Sequence, residues 1–395
     1  MKITLTCPAS LPATQFGGIL FLGVDLAREI SELGNEITIY TTDLDFANNP
    51  KTFNKQLPRK EKFGKFTVMR SHVWFSIHLF FVNPGMYFQM LKDNSDVIHA
   101  IGIRSFQAFI AALIAKKKNI PLVLSDQGGI TTHPDIKSGN ITKRILYKLQ
   151  KPMINFVISQ ATKISVANEY EKNIFSQLCD QSKIVIVRNG INLENILESK
   201  RVNLKEKYNI KNQFILFLGR FSKIKGIDIL LNAIQLIKDS KEFSNVKLVI
   251  MGVDFGFQAK MIEMITKLQI QKNVLVIQNP TREEVIEAYR ECKFLVLPSR
   301  WELSPLTPLE GFALKKTVIS TNVHGIPYTI KNGENCILVE PESYKELSKA
   351  IITLLQDDAK CSRYGEKGFQ LVKNICNSKA MAENTLKIYQ TIIKE

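Results

Sequence analysis

The sequence has few of the residues that build metal sites and disulfide frameworks. Its 395 residues include only six cysteines and five histidines, and no two cysteines form a CxxC pair. The cysteines are scattered along the chain at Cys7, Cys179, Cys292, Cys336, Cys361 and Cys376. This spacing argues against a zinc site and favours reduced thiols in an intracellular, cytoplasmic protein.

Long apolar runs are also missing. The first 16 residues, MKITLTCPASLPATQF, contain no uninterrupted apolar region, so we expect no signal peptide. The most apolar stretch, residues 73–91, is interrupted by Asn83-Pro84-Gly85 and falls short of the roughly 20 residues that cross a bilayer. The sequence therefore predicts a soluble chain that can at most touch a membrane surface.

Acidic residues are scarce relative to basic ones. There are 53 Lys and Arg against 37 Asp and Glu, a formal net charge of +16, and the excess is present in both halves of the chain. Such a charge attracts anionic partners: a nucleotide, a phosphorylated acceptor, an anionic membrane or a nucleic acid. It does not choose among them. The hydrophobic content of 45% is that of an ordinary globular protein, and the length suits two domains.

Short apolar runs alternate with helical segments along the whole chain, a pattern typical of parallel α/β layers. One set of runs ends near residue 188, and a second begins near residue 214. The polar stretch 191–212 between them is the candidate interdomain region. Residues 141–157 have helical spacing, although Pro152 should interrupt that helix. We expect two similar α/β domains, residues 1–190 and residues 191–377.

Basic residues follow a buried strand at the start of the second set. The run 215–218 ends at Gly219-Arg220, and Lys225-Gly226 directly precede an apolar helix. Arg220 and Lys225 should therefore face the same side of the sheet. A guanidinium can bridge two phosphate oxygens while an ammonium neutralises the remaining charge, as a diphosphate requires. On this segment alone, an ordinary solvated basic loop remains an open alternative.

Two glutamates in the run PSRWELSPLTPLEG, residues 298–311, strengthen the case for a phosphate site. A helix should begin at Leu306, where the amides of Leu306 and Thr307 can face a phosphate at the positive end of the helix dipole. Glu310 would then reach a ribose diol, and Glu302 would lie on the substrate side. Two solvated glutamates are the more common alternative, but the basic residues upstream make it the less favoured one here.

The segment GRFSKIKGIDILLNA (219–233), followed by ELSPLTPLE (302–310), closely resembles the retaining glycosyltransferases of family 4. Further segments of the chain, 165–175, 183–192 and 318–330, also resemble that family, so the resemblance covers nearly all of the sequence. It implies the GT-B fold, in which two Rossmann-like domains face each other across a cleft. It also implies that the last helix, about 378–395, packs back onto the first domain.

The resemblance implies roles for individual residues. Arg220, Lys225 and Glu302 would form the catalytic set, with the two cations on the donor pyrophosphate and Glu302 on the donor sugar. The remaining donor-binding residues would be Gly17, Gly18, Gly219, Leu306, Thr307 and Glu310. Where the family usually has glycine and an aromatic residue after the first glutamate, Leu303-Ser304 stand here, which leaves the donor sugar open. His324, before Gly325, would be a residue at the edge of the pocket.

The reaction implied is transfer of a hexose, with retention, from a UDP-, GDP- or ADP-linked sugar to a glycan, a lipid-linked acceptor or another hydroxyl, in polysaccharide or glycolipid biosynthesis. No metal and no cofactor is expected. The alternatives are a nucleotide-sugar epimerase or hydrolase of the same fold and, less favoured, a non-catalytic protein that binds a nucleotide sugar or nucleic acid. Asp43 and Asp45 form a DxD pair, which we interpret as part of a turn and not as a metal site.

The predicted acceptor pocket lies in the first domain. His99 ends a strand there, and Asp126-Gln127-Gly128-Gly129 stands where many relatives have His-Gly. His99, Asp126 and His133 are the candidates to line this pocket.

Two basic clusters belong to the same domain. The first comprises Lys51, Lys55, Arg59, Lys60, Lys62 and Lys65, and the second comprises Lys137, Lys143, Arg144, Lys148 and Lys151. The second is interleaved with apolar residues at helical spacing, which suits an anionic membrane such as the inner face of the cell membrane. A solvated helix that packs its apolar side on the core is an equally good interpretation. No recognised motif indicates nucleic-acid binding.

Overall fold

The computed structural model describes residues 1–45, 52–127, 130, 132–134, 136 and 141–394, without the side chains of residues 142, 143 and 146. The chain divides into two compact units. The first unit comprises Met1–Gly190 together with Ser378–Glu395, and the second comprises Ile191–Asn377. Both are α/β, so the predicted fold class is confirmed.

The first unit is built on an eight-stranded sheet and carries a separate two-stranded hairpin. The strands in chain order are β1 (Lys2–Thr6), β2 (Glu36–Thr42), β3 (Lys60–Phe63), β4 (Phe66–Ser71), β5 (Phe75–Ile77), β6 (Phe80–Val82), β7 (Val97–Ile101), β8 (Leu122–Ser125), β9 (Lys163–Val166) and β10 (Ile184–Ile186). The large sheet has the order β10-β9-β8-β7-β1-β2-β4-β3 and is parallel except for β3 at its edge. Strands β5 and β6 form the hairpin, with Phe75 opposite Val82.

In the part of this unit that the structure describes, the helices between the strands include α1 (Gly18–Glu32), α2 (Gly85–Leu91), α3 (Phe106–Lys118), α4 (Ile141–Ser159) and α5 (Glu169–Phe175). Helix α4 runs without interruption through Pro152, so the predicted break is wrong. The C-terminal half of this helix packs on α3, with the rings of Phe109 and Phe156 5.8 Å apart. Burial of that half supports the helix where proline removes one backbone hydrogen bond.

The second unit has a six-stranded parallel sheet. Its strands are β11 (Gln213–Leu218), β12 (Val246–Gly252), β13 (Val274–Gln278), β14 (Leu295–Leu297), β15 (Val318–Thr321) and β16 (Cys336–Val339), in the order β13-β12-β11-β14-β15-β16. Residues 214–217 of β11 are fully buried, which explains their continuous apolar sequence. A parallel sheet covered by helices on both faces needs strands without polar alternation.

Helices cover both faces of this second sheet. They are α6 (Leu193–Leu197), α7 (Leu204–Lys207), α8 (Ile227–Ile237), α9 (Gln258–Lys267), α10 (Arg282–Glu291), α11 (Leu306–Ala313), α12 (Ile326–Thr329), α13 (Tyr344–Gln356) and α14 (Asp358–Asn374). The stretch 191–212, whose polarity suggested an interdomain region, instead forms α6 and α7. Their residues Ile196 and Leu204 are buried in the core of the second unit. The polar composition of this stretch did not indicate these two short amphipathic helices.

The last helix, α15 (Ser378–Lys394), belongs to the first unit. It packs on α1, and the buried Ser378 hydroxyl donates to Glu29 Oε1 at 2.6 Å. Its Tyr389 is fully buried. Among the helices that the structure describes, none is long and apolar enough to cross a bilayer.

Candidate functional site

The order in which the chain adds strands to the second sheet reverses next to β11. From β11 the chain adds β12 and β13 on one side, and then returns to add β14, β15 and β16 on the other. In open α/β sheets, ligands bind outside the carboxyl ends of the strands at such a switch point. The residues that follow β11 and β14, namely 219–226 and 298–302, therefore lie at the position where a ligand is expected. These are the two segments that carry the predicted donor residues.

Gly226 brings the two segments together. Its φ is +68°, and a Cβ atom there would lie 1.9 Å from the carbonyl oxygen of Pro298. Only glycine tolerates both this backbone conformation and this approach. The turn before α8 is therefore held against the backbone that follows β14, and this contact positions Lys225, the residue before Gly226.

Lys225 and Glu302 form an ion pair through Nζ and Oε1. The hydroxyl of Ser299 donates to the same carboxylate oxygen at 3.0 Å. The Lys225 side chain is 25% exposed and that of Glu302 is 13% exposed, so both remain accessible from one side. The structure thus brings together two of the three predicted catalytic residues, which lie 77 positions apart in the sequence.

Arg220 lies beside this pair. Its guanidinium carbon is 4.6 Å from the centre of the Phe255 ring, so the planar group stacks on an aromatic face. Burial lowers the pKa of Arg220, while the charge of Glu302 opposes this shift. The guanidinium stays charged at any physiological pH, because an arginine pKa begins far above that range. Gly219 precedes it, at the end of β11.

Arg300 holds the two segments to each other, a role that sequence reasoning missed. Its guanidinium donates to both carboxylate oxygens of Asp228 at 2.7 and 2.9 Å, to Glu342 Oε2 at 2.8 Å and to the Lys223 carbonyl oxygen at 2.6 Å. Burial alone would lower the pKa of Arg300, but the hydrogen bonds and charges of these two carboxylates outweigh it and raise the pKa. The partner Asp228 is 72 positions away in the chain, and no local pattern indicates such a pair.

Helix α11 begins at Leu306, as the sequence predicted. Pro305 precedes it, and the amides of Leu306 and Thr307 in the first turn have no carbonyl one turn earlier in the helix. They are therefore suited to an anionic group at the positive end of the helix dipole.

Glu310 lies one turn further along α11 and is 7% exposed. Its Oε1 accepts from Arg282 Nη2 at 2.6 Å, and its Oε2 accepts from the Tyr289 hydroxyl at 2.9 Å. Burial and the charge of Glu310 raise the pKa of Tyr289 well above its ordinary value. Each carboxylate oxygen can accept a further hydrogen bond, so a hydroxyl group can still bind Glu310. Sequence reasoning did not find Arg282 or Tyr289.

Of the two residues that depart from the family pattern, Leu303 is packed inward and 5% exposed, whereas Ser304 is half-buried. The neighbouring Trp301 is 9% exposed. The Trp301 ring lies 6.5 Å from that of His324, whose φ is +48°. The next amide, Gly325 N–H, donates to the Glu302 carbonyl oxygen at 3.1 Å. Burial lowers the pKa of His324. His324 therefore lies beside the Glu302 segment, next to the predicted donor residues.

The first sheet also has a switch point, between β1 and β7. Gly17, with a φ of +99°, follows β1, and Gly18 begins α1. His99 lies in β7 and is 2% exposed. Its Nδ1 shares a hydrogen bond with the Tyr389 hydroxyl at 2.6 Å, and its Nε2 shares one with Ser125 Oγ at 2.7 Å. Burial lowers the pKa of His99 to about 3, so the ring is neutral at physiological pH.

His99 lines a small cavity of the first unit together with Ser125, Gln127 and residues of α1 and α15. Asp126 adjoins this cavity in the chain, is 3% exposed and accepts from the Ile130 amide at 3.1 Å. His133 lies apart, with its ring 6.2 Å from that of Tyr147. Gly128, Gly129, Lys51 and Lys137 lie outside the described residues. An acceptor role for His99, Asp126 and His133 stays a prediction.

A buried carboxyl next to Asp126 was not predicted. Glu171 is 2% exposed, and its Oε2 accepts from the Ala167 amide at 2.7 Å. Burial raises the pKa of Glu171 to about 8, and the charge of Asp126 contributes. No sequence pattern indicates this buried carboxyl, because Glu171 falls in the first turn of α5, where an exposed acid would be ordinary.

Asp43 and Asp45 take part in local contacts. Asp43 Oδ2 pairs with His72 Nδ1 at 2.5 Å, and its Oδ1 accepts from the Val73 amide at 3.1 Å. Asp45 accepts from Asn54 at 3.1 Å. Among the residues that the structure describes, no three or more histidine, cysteine or acidic side chains are grouped so that they could hold a metal ion.

The two parallel sheets and the motif at the second switch point are those of a GT-B glycosyltransferase. The model of the family "Glycosyl transferases group 1" matches residues 200–371, and that of "Glycosyltransferase Family 4" matches residues 16–195. Because these matches together cover almost the whole sequence, the chain belongs to the family 4, group 1 glycosyltransferases. The predicted family and fold are confirmed.

Individual relatives agree with this assignment. An uncharacterised glycosyltransferase of Methanocaldococcus jannaschii is 27% identical over 76% of this chain and 79% of its own. The N-acetyl-alpha-D-glucosaminyl L-malate synthase of Bacillus anthracis is 23% identical over 100% and 98% of the two chains. The crystal structure of Anabaena HepE in complex with UDP-glucose superposes with a TM-score of 0.76 at 16% identity, over 99% of this chain and 100% of that one.

Proposed function

We propose that this glycosyltransferase moves a hexose from a nucleoside diphosphate sugar to an acceptor hydroxyl with retention at the anomeric carbon. The observation that carries the proposal is the arrangement of Arg220, Lys225 and Glu302 at the switch point of the second sheet. The solved structure of HepE in complex with UDP-glucose supports a nucleotide sugar as donor. UDP-glucose is accordingly the first donor to test.

The two cations are suited to hold the diphosphate. An ammonium has three donors, so Lys225 can keep its contact with Glu302 and donate to a phosphate oxygen as well. The stacked guanidinium of Arg220 can offer its in-plane N–H groups to two oxygens. Their charge stabilises the diphosphate most strongly when it leaves, since its negative charge grows in the transition state. The first-turn amides of α11 contribute in the same direction.

Glu302 and Glu310 are the candidates to bind the two remaining parts of the donor, the sugar and the ribose. Arg282 and Tyr289 fix the carboxylate of Glu310, so that it can accept from a ribose hydroxyl without rearrangement. Glu302, held by Lys225 and Ser299, is placed to contact the hydroxyls of the sugar. Apart from Glu302 and Glu310, the segments 219–226 and 298–311 contain no carboxylate that could act as a nucleophile and form a covalent intermediate.

The proposed path is therefore a front-face transfer. The bond between the anomeric carbon and the β-phosphate oxygen breaks, and a bond from the same carbon to the acceptor oxygen forms on the same face. The acceptor proton passes to an oxygen of the departing diphosphate. The protein contributes position and charge stabilisation, and both Arg220 and Lys225 act on the leaving group.

The acceptor is proposed as a glycan or lipid-linked hydroxyl, in the synthesis of a polysaccharide or glycolipid at a membrane. His99, Asp126 and His133 are the candidates for contacts with it. This role requires that the neighbourhood of the small cavity open toward the acceptor. His99 would then act by positioning its neighbours and not by proton transfer, because a ring whose pKa is lowered to about 3 by burial is too weak a base to take up a proton at physiological pH.

Turnover of the donor tests the proposal. Arg220→Ala and Lys225→Ala should each lower kcat by about 10²-fold or more, the loss typical for one charge-stabilising donor. Lys223→Ala is the matched control, since Lys223 is an exposed cation two positions away and should retain normal turnover. Normal turnover in both Arg220→Ala and Lys225→Ala would contradict the assignment.

Two further readouts test the finer claims. The anomeric configuration of the product, read by NMR, must equal that of the donor, and an inverted product rejects retention. Incubation with the donor alone should give slow hydrolysis at most. Rapid turnover without an acceptor would instead indicate a nucleotide-sugar hydrolase or epimerase.

A further inference from the structure

A hairpin of the first unit exposes large apolar side chains to solvent. The residues 74–79 are all exposed, among them Trp74 at 71% and Phe75 at 55%. Ile77 and Leu79 are 46% and 40% exposed. Six consecutive exposed residues with four large apolar side chains are unusual on a soluble protein, and such patches commonly mark an interaction site.

Helix α4 exposes a second set of apolar side chains. Ile141 is 72% exposed, Ile145 54% and Leu149 72%. Their spacing of four residues places them along one face of the helix. The sequence left open whether this face packs on the core or faces outward. The structure places it outward in the N-terminal half of α4, while the C-terminal half buries Ile154 and Val157.

The hairpin and the exposed half of α4 flank the same short segment at the start of α3. The ring of Phe80, in strand β6, lies 6.1 Å from that of Phe106. Two residues earlier, the guanidinium of Arg104 lies 3.8 Å from the centre of the Tyr147 ring in α4. Both patches therefore belong to one side of the first unit. We call them together the apolar–basic surface, defined by residues 74–79 and the exposed face of residues 141–151.

The segments that carry this surface have charges of one sign. Residues 72–92, 97–125 and 141–168 contain ten lysines and arginines and no aspartate or glutamate. Of these cations, Arg144, Lys148 and Lys151 are exposed on the same part of α4 as the apolar residues. Four acids directly adjoin these segments. Asp93 pairs with Lys2, Asp96 accepts from the Lys2 amide at 2.7 Å, Asp126 is buried, and Glu169 pairs with Lys172 at 3.8 Å.

We propose that the apolar–basic surface docks on an anionic lipid bilayer. The apolar hairpin, with Trp74 at its base, enters the interfacial region, where tryptophan is favoured. The N-terminal half of α4 lies along the same interface, with its apolar residues toward the acyl chains and Arg144, Lys148 and Lys151 among the lipid phosphates. Charge complementarity selects this occupant. A second copy of the chain would set cations against cations, which is costly at an interface.

Vesicle flotation tests the proposal with the full chain. Wild-type protein should float with vesicles of phosphatidylcholine and phosphatidylglycerol in equal parts, and much less with phosphatidylcholine alone. The variant Trp74→Ser, Phe75→Ser removes apolar contacts, and Lys148→Glu, Lys151→Glu reverses two charges. Each should weaken partitioning by about tenfold or more, and added salt should weaken the wild type.

Matched controls lie on the second unit. Leu236→Ser, Ile262→Ser changes two exposed apolar residues, and Lys345→Glu, Lys349→Glu reverses two exposed charges; both should leave flotation unchanged. Failure of the wild type to float with either vesicle overturns the proposal. The proposal is also overturned if neither the Trp74→Ser, Phe75→Ser variant nor the Lys148→Glu, Lys151→Glu variant weakens flotation. Wild-type dimers that become monomers in the hairpin variant would assign the surface to a second copy. Binding of UDP, measured on the same samples by thermal shift, is independent and should not change.

Discussion

The two switch points of the molecule differ in how their polar groups are used. In the second unit, Lys225 and Glu302 pair with each other while remaining partly exposed at the carboxyl ends of the strands. In the first unit, His99 occupies a comparable strand but is buried, and both ring nitrogens are bonded within the protein. The first arrangement can exchange partners with a ligand. The second mainly ties β7 to β8 and α15.

This contrast explains why the donor residues of the second unit were easier to predict than the surroundings of His99 in the first unit. The donor residues come from two short segments, 219–226 and 298–311, each of which joins a strand to a helix. The partner of His99 is Tyr389, 290 positions further along the chain, so its environment has no local signature. Charged residues at strand ends can be read from a sequence, whereas burial by a distant helix cannot.

The largest expected effect concerns the contact that holds the donor segments together. Gly226→Ala would place a Cβ atom 1.9 Å from the Pro298 carbonyl oxygen in a backbone conformation with φ of +68°. We expect a loss of unfolding free energy of about 3 kcal/mol or more, together with loss of UDP binding. Thermal denaturation with and without UDP measures both.

Gly219→Ala is the control for this substitution, judged on stability alone. A Cβ atom at Gly219 would meet its nearest neighbour, the Phe217 ring, at 3.6 Å, which is an ordinary contact. Its melting temperature should stay near that of the wild type. Equal stability of the Gly226→Ala and Gly219→Ala variants would show that the close approach after β14 is not needed.

A smaller effect is expected from Arg282→Met. This change leaves the carboxylate of Glu310 buried without its cation, which should cost about 2 kcal/mol, since Arg282 is itself 27% exposed and partly screened. Addition of Glu310→Gln to this variant should restore part of the lost stability, because no buried charge then remains. A double variant that is less stable than Arg282→Met would contradict this account of the pair. Urea denaturation of the single and double variants measures the coupling.

The smallest expected effect concerns Glu171, the buried carboxyl of the first unit. The pKa of Glu171 is raised to about 8, so the folded state binds its proton more tightly than the unfolded state does. Its contribution to stability is fully present below the ordinary carboxyl pKa of 4.5 and is lost as the pH rises toward about 8. Glu171→Gln should therefore flatten the decline of melting temperature over that range.

Glu169→Gln, which changes a carboxyl that is 55% exposed two positions earlier, is the matched control and should keep the wild-type slope. The same slope in all three proteins would mean that Glu171 is ionised in the folded state. The comparison needs only melting temperatures in a series of buffers.

Much of the fold followed from the sequence because buried parallel strands are short apolar runs between helices. The errors have physical causes. Pro152 does not interrupt α4, because the packed C-terminal half of that helix supports it. Helices α6 and α7 were hidden by polar residues on their exposed sides. Strand β5 of the hairpin does not show the usual alternation of an exposed strand, since its apolar residues Phe75 and Ile77 face solvent.

The candidate donor site, like the fold, could be predicted in part from the sequence. Arg220, Lys225, Glu302 and Glu310 carry charges in a recognisable pattern, and the structure places them at one switch point. Arg300, Arg282 and Tyr289, which hold the segments and the second glutamate, were not found. Each acts through partners on another element, at separations of 21 to 77 positions. Such supports become visible only after the chain has folded.

The most direct test of the central claim is the affinity for UDP relative to uridine. If Lys225 binds the diphosphate, calorimetry should show that Lys225→Ala lowers the affinity for UDP by about tenfold or more while leaving the affinity for uridine unchanged. Lys223→Ala should preserve both affinities. An undiminished preference of Lys225→Ala for UDP over uridine would contradict the claim that this part of the second unit holds the diphosphate.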